Sequence, residues 1–378
     1  MYNLYRQIFI VSLCLPILFM YSAGGTYLYL YYVLGAGIIM ASIWYRAKWP
    51  TLLVATALIM LLVSLFNIAS TRLSVLVFQL FFIVLLAVHS RLPFERINFK
   101  AIITYIYYAY CFVLILSGVI DLIGLAQFLP DMFYIIERDN GGFRFNAFAT
   151  ESSYAALLLL IFYRYLYRES EGKLNVGFLM ITLLSIYFTK SVYGVISILL
   201  ILSMQVLSVR ASMKIPLLVI GGGIILFLLF SSEYFFGRLS GLAESQSVEG
   251  MGTAGIRLLP IVFFIEKLQN HVPYWLITGN GAGSMSIEFY ESVGRFYTEE
   301  GRFSTHMIGF IHDYGMLPII LLAKYALPKD TMQQIFYMTM FILISTNAGF
   351  ATYLFFIFIL IERASKNVET LKKEVGYI

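Results

Sequence analysis

The chain has 378 residues, a length that in a soluble protein makes two or three domains. Its composition excludes that reading: 60% of residues are hydrophobic, 17% aromatic and only 12% charged, at a mean hydropathy of +0.83. A water-facing surface uses roughly a quarter or more charged residues, and the net charge of +5 is ordinary where cytoplasmic loops carry Lys and Arg, with no implication of nucleic acid.

The fold class expected is all-α: a polytopic integral membrane protein of about twelve transmembrane helices. Apolar runs place spans at 7–22, 26–44, 51–68, 73–90, 101–125, 152–167, 174–188, 192–209, 215–232, 305–323, 332–346 and 349–361. The last two are separated only by Asn347 and Ala348, so ten or eleven spans also fit. The first run resembles a signal peptide ending near Ser22-Ala23-Gly24, but it is read as a span. The chain then divides into helices one to five (1–125), a first outer loop (126–151), helices six to nine (152–232), a large outer loop (233–304), helices ten to twelve (305–361) and a cytoplasmic tail (362–378).

Sidedness follows from the basic residues. With the N-terminus inside, seventeen Lys and Arg fall on the cytoplasmic side. The short outer loops hold four: Arg72, Arg138, Arg144 and Lys190. The long loop is set aside, because long segments translocate largely regardless of charge. Both termini are expected in the cytoplasm, and the unexplained polar chemistry gathers on the outer face.

In chain order, the first candidate segment is Arg144 to Ser153, which runs directly into span six. Thr150 reads as a helix N-cap and Glu151 as an acid in the first turn, where it suits the helix dipole. The alternative to a capped helix is an arginine and a carboxylate held at the outer membrane surface. Arg164, near the inner end of span six, is placed to snorkel. Lys190, between spans seven and eight, is the odd basic residue outside, within reach of an anionic headgroup.

The long loop offers Gly250-Met-Gly-Thr-Ala-Gly-Ile-Arg257 and then Gly279-Asn-Gly-Ala-Gly-Ser284. Alternate glycines let backbone N–H groups approach a phosphate or a sugar, or simply make a turn. His306 marks the entry to span ten, four residues after Arg302, which puts the two on one face if the stretch is helical. Asp313 lies seven residues further on, on that face and about 10 Å deeper, whereas His312 points about 120° away. Ionisable groups inside a span are functional or paired by default. Cys14 and Cys111, both in apolar runs, read as small buried hydrophobes, and no metal-ligand spacing occurs.

At these residues the chain resembles a known family. Arg144 to Ser153 is similar to the Arg…Phe-x-Glu-Pro-Ser pattern that opens a span in bacterial O-antigen and capsule polymerases of the Wzy type. Thr189-Lys-Ser-Val-Tyr-Gly194 resembles their Thr-x-Ser-Arg-x-Gly segment. Gly279 to Ser284, His306 and Gly315 resemble the end of the large outer loop in these polymerases and in O-antigen ligases. The likeness covers roughly residues 140–320. Ser152 stands where proline is usual, and Val192 where arginine is usual.

The resemblance implies a C-type glycosyltransferase with a lipid-diphosphate donor, and, with no carboxylate cluster in the sequence to suggest a metal, no metal or cofactor is expected. It would act on the outer face of the cytoplasmic membrane, moving a glycan from undecaprenyl diphosphate to a lipid-linked repeat unit. Arginines suit a diphosphate leaving group, because the guanidinium fork binds phosphate oxygens bidentately and stays charged. Arg144 and Arg257 are assigned that part, with Arg302 and Arg295 behind them, and Gly279, Gly281 and Gly283 form the substrate loop. His306 or Glu151 takes the acceptor proton, with His306 preferred and Glu151 orienting. Lys190 and Asp313 are secondary candidates. Expected partners are the undecaprenyl-diphosphate-linked oligosaccharide, membrane lipid and a chain-length regulator. The competing readings are an O-antigen ligase and, from another class, a flippase of lipid-linked glycan.

Overall fold

The computed structural model describes residues 2–23, 26–44, 49–89, 98–136, 143–170, 176–208, 263–269, 274–293, 306–347, 349–350 and 352–374. Most of these are helical, as the apolar periodicity predicts. Among them one helix, Phe99–Leu122, is long and apolar enough to cross a membrane: 24 residues at mean hydropathy 1.9, about 36 Å of rise. Several others are equally apolar but shorter, at 10–17 residues.

Two short hairpins depart from an all-helical chain. Helix α1 (Tyr2–Cys14) stops before Pro16, whose ring lacks the N–H that a continuing helix needs. A 3-10 turn follows, then β1 (Met20–Ala23) antiparallel to β2 (Thr26–Tyr29), so the span expected at 7–22 ends early. The second hairpin, β3 (Tyr134–Ile136) with β4 (Phe143–Phe145), lies in the first expected outer loop. The span expected at 215–232 lies outside the described residues.

The chain forms two compact units, Met1–Gly35 with Pro93–Ser240, and Ala36–Leu92 with Gly241–Ile378. In the first, α5 (Phe99–Leu122), α6 (Ser152–Glu169), α7 (Val176–Phe188) and α8 (Val192–Ser208) pack together, with α2 (Leu30–Trp44) beginning at its boundary. Helix α6 is sheathed on every side: Ser152, Ser153 and Ala155 through Tyr167 are buried. Arg164 is 1% exposed and does not snorkel to the surface.

In the second unit, α3 (Thr51–Phe66) and α4 (Leu73–His89) form an antiparallel pair. Two short helices follow in sequence, α9 (Trp275–Thr278) and α10 (Ser284–Val293), with a further helical stretch at 263–269. Next come α11 (Met307–Tyr314), α12 (Met316–Ala326), α13 (Thr331–Asn347) and α14 (Tyr353–Glu374). Helix α12 lies along α3, and Tyr353 to Ile361 of α14 form the core.

The run expected as one span at 305–323 is two helices. Gly315 between them adopts φ 79°, ψ −178°, a conformation open essentially to glycine alone. Pro318 falls in the first turn of α12, where its missing N–H costs nothing. A Cβ on Gly315 would stand 2.6 Å from the Ile277 carbonyl oxygen, so α9 packs directly against the break.

Candidate functional site

In the first unit, the segment 143–151 packs against the middle of α5 and the 3-10 turn that follows α1. Ile17 donates its N–H to the Phe148 carbonyl at 3.4 Å, and Tyr110 meets Phe148 edge-on. Asn146 fixes the turn by donating to the carbonyls of Met132 (3.2 Å) and Ala149 (2.7 Å). Arg144 sits in β4 opposite Ile135 and is half-buried. Glu151, not Thr150, occupies the N-cap of α6: its backbone is extended, and its carbonyl accepts from Tyr154 and Ala155. The Glu151 carboxylate accepts from Ser153 Oγ at 3.2 Å.

Lys190 reaches the same segment. Its ammonium donates to Asp121 Oδ2 at 2.7 Å and lies 5.6 Å from the Phe145 ring centre, beside Arg144 in sequence. Its φ is 47°, in the left-handed region where a helix C-terminus usually has glycine. A lysine there costs about 1–2 kcal/mol of backbone energy, and the ion pair and aromatic contact offset part of it.

In the second unit the polar groups form a chain. Asp313, fully buried, accepts from the N–H groups of Gly283 (2.8 Å) and Met285 (2.9 Å) and from Ser284 Oγ (2.9 Å). Its carboxylate therefore lies on the N-terminus of α10, where orphan N–H groups and the helix dipole both favour an anion. Ser284 Oγ also lies 3.1 Å from His312 Nδ1. On the other side of the ring, His312 Nε2 faces Lys267 Nζ at 2.7 Å, the Asn280 amide nitrogen at 3.1 Å and Glu288 Oε2 at 3.4 Å.

One hydrogen pattern satisfies this chain. Lys267 and Asn280 are donors, so neutral His312 carries its lone pair on Nε2 and its hydrogen on Nδ1. Nδ1–H donates to Ser284, and Ser284 donates to Asp313. Lys267 also bonds Glu288, and its ammonium lies 5.6 Å from the Trp275 ring centre. Burial alone would raise the Glu288 carboxyl, but a protonated His312, which donates from Nε2 in place of its lone pair, and the Lys267 ammonium bring it down to about 2 by hydrogen bonds and charge. Lys267 and Glu288 form the open side of the cluster, 15% and 37% exposed, while His312 and Asp313 are fully enclosed.

The N–H groups of the glycine turn bond within the protein. Gly279, Gly281 and Gly283 all have positive φ. Their N–H groups donate to the Trp275 carbonyl (2.8 Å), the Asp313 carbonyl (2.9 Å) and the Asp313 carboxylate (2.8 Å). The turn thus caps the broken end of α11 and lets backbones approach closely. It is also tied to the α3–α4 turn, where Arg72 N–H donates to the Ala282 carbonyl at 2.7 Å and Ser70 Oγ to the Asn280 carbonyl at 2.6 Å.

His306 sits at the N-cap of α11, and its Nδ1 lies 3.1 Å from the Thr346 carbonyl oxygen at the end of α13. A carbonyl only accepts, so Nδ1 carries the hydrogen and the neutral ring has its basic lone pair on Nε2. Arg257, Arg295 and Arg302 lie outside the described residues, as does the segment from Gly250 to Arg257. Arg144, Glu151 and Lys190 belong to the first unit, and His306, Asp313 and the glycine turn to the second.

Sequence reasoning set His312 apart from the Asp313 face and passed over Lys267, Asn280 and Glu288. The first 120° separation is real on a helix, but the N-terminus of α10 packs so that Ser284 meets both side chains. Lys267 is 45 residues from its partner His312, a separation that no local pattern encodes. The helix break was legible, because Gly315-Met-Leu-Pro318 combines a stop signal with a start signal. Among the described residues no group of three or more His, Cys, Asp or Glu is placed to hold a metal ion. No family model matches the sequence, and neither a curated protein nor a solved structure shows significant similarity to the chain.

Proposed function

We propose that the chain is a polytopic membrane glycosyltransferase that polymerises undecaprenyl-diphosphate-linked oligosaccharide repeat units on the outer face of a bacterial cytoplasmic membrane. The observation that carries this reading is the ionisable cluster at the break between α11 and α12. Lys267, Glu288, His312 and Asp313 stand together there in an otherwise apolar helical protein. Charge inside such a protein is expensive and marks a site. Irregular backbone at membrane depth is tolerated where protein or a water-filled cavity surrounds it.

The reaction breaks the bond between the donor sugar C1 and its diphosphate oxygen, and forms a bond from C1 to an acceptor hydroxyl oxygen. Undecaprenyl diphosphate leaves with the electron pair. The acceptor proton passes to His306 Nε2, whose ring is held by the Thr346 carbonyl. Arg257, with Arg302 and Arg295, neutralises the diphosphate.

The test uses purified protein, the repeat unit on undecaprenyl diphosphate and EDTA, with no other acceptor, and products resolved on a gel. A ladder with released undecaprenyl diphosphate is expected, lost in His306→Ala and shortened in Arg257→Ala. A full ladder from folded Arg257→Ala would remove the arginine from the diphosphate site. No ladder from folded wild-type protein would overturn the polymerase.

A second reading, flipping of the same lipid-linked glycan, is favoured by one observation. The α11–α12 run is discontinuous at Gly315, and transporters build sites at such interruptions. Transfer of labelled repeat unit across a proteoliposome bilayer, without a ladder, would favour it.

A further inference from the structure

The long polar segment 233–304 reads as an outer loop, yet its described part carries an apolar face. Tyr274 and Ile277 of the α9 turn are 67% and 80% exposed. Ile277 is fixed against the break, since its carbonyl oxygen is the atom a Cβ on Gly315 would meet. Directly beyond the break, Met316 and Ile320 of α12 are exposed too. On the other side of the glycine turn, the α3–α4 connection that bonds Asn280 and Ala282 exposes Phe66 and Ile68. Exposed apolar residues therefore stand on α9 and on both elements that adjoin it, the α3–α4 connection and α12.

Depth points the same way. Helices α11 (Met307–Tyr314) and α12 (Met316–Ala326) rise about 12 Å and about 16 Å, so the broken run reaches at most about the 30 Å of a hydrocarbon core. Gly315 falls near its middle, so Ile277 stands about 12 Å inward of Met307. Backbone groups at that depth must be satisfied internally, and those of Gly279, Asn280 and Gly281 are, by Trp275, His312 and Asp313.

We propose that residues 274–283 form a re-entrant element whose Tyr274–Ile277 face lies against acyl chains of the outer leaflet, continuing the lipid-facing surface of α12. This rests on the membrane reading above, since α11 and α12 must cross the bilayer for α9 to meet lipid.

Nitroxide labels at Ile277→Cys, Ile320→Cys and Asp330→Cys in lipid nanodiscs test it through collision with oxygen and with a water-soluble nickel chelate. Cys14 and Cys111 are buried, and the labelled parent gives their background. The ratio of oxygen to nickel collisions at Ile277 is expected to match that at Ile320 and to exceed that at exposed Asp330. Nickel-dominated collisions at Ile277, with Ile320 oxygen-dominated, would place α9 in water and overturn the proposal alone. A label at Ile277 reached by neither reagent would mean that protein covers the face, and overturns it equally. Nickel-dominated collisions at Ile320 as well would overturn the membrane crossing and the proposal with it. Tyr274→Cys gives the same readout should Ile277→Cys not fold.

Discussion

The Lys190–Asp121 pair of the first unit and the His312–Asp313 cluster of the second hold charge in an apolar protein in opposite ways. In the first, Lys190 and Asp121 meet as a simple pair, 32% and 22% exposed, with the lysine on a strained backbone. In the second, Asp313 and His312 are fully enclosed, and nearly every lone pair and hydrogen is matched through Ser284, Asn280, Lys267 and two backbone N–H groups. A partly solvated pair tolerates loss of one partner, because water replaces it. An enclosed network does not, since each deletion leaves a buried group unpartnered.

The largest effect should come from the enclosed carboxylate. Asp313→Ala removes three hydrogen bonds to a charge and leaves the α10 N-terminus uncapped, an expected loss of about 3–5 kcal/mol, read as a fall in the thermal unfolding midpoint in detergent. A midpoint within a degree or two of wild type would mean that the network is incidental.

Two glycines sharpen the comparison next. Gly315 and Gly124 have nearly the same φ, 79° and 77°, but a Cβ on Gly124 meets nothing within 4 Å. Gly315→Ala should cost about 2–4 kcal/mol, combining left-handed strain with overlap on the Ile277 carbonyl. Gly124→Ala should cost about 1 kcal/mol, from strain alone. Equal shifts would show that α9 yields, and that the close approach at the break is soft.

A smaller effect is expected at Glu288. Its folded value of about 2 lies below the ordinary carboxylate value of about 4.3. Its contribution to stability is therefore present above about pH 4.3 and is lost as pH falls towards 2. The unfolding midpoint of wild-type protein should drop more steeply between pH 5 and pH 3 than that of Glu288→Gln. Parallel curves would remove the His312–Lys267 contacts as the cause. The change will be modest, because the carboxylate is 37% exposed and water screens it.

The smallest belongs to Lys190→Gly. Glycine relieves the left-handed backbone by about 1 kcal/mol, which offsets a partly exposed ion pair of about the same size, so the unfolding midpoint should hardly move. A large drop would mean that the Asp121 pair is as demanding as the network in the second unit.

Composition and periodicity alone determined that the chain is mostly helical, because apolar runs of helical length have few other ways to satisfy their backbone groups. They also placed Glu151, Lys190 and His306 near the ends of spans, whereas Asp313 was expected inside one and stands at a helix break. A proline-to-hairpin change after Cys14 and the split at Gly315 were written locally, in Pro16 and in Gly315-Met-Leu-Pro318, yet hydropathy averaged over a window hides single residues.

Only the tertiary structure decided which polar groups meet. Asp313 became the cap of a helix 29 residues earlier, His312 joined it through Ser284, and Lys267 and Glu288 completed the chain from either side of the glycine turn. Hydrogen bonds of that kind depend on positions in space between segments far apart in sequence. The sequence states each partner's chemistry but not the packing that brings the partners within 3 Å.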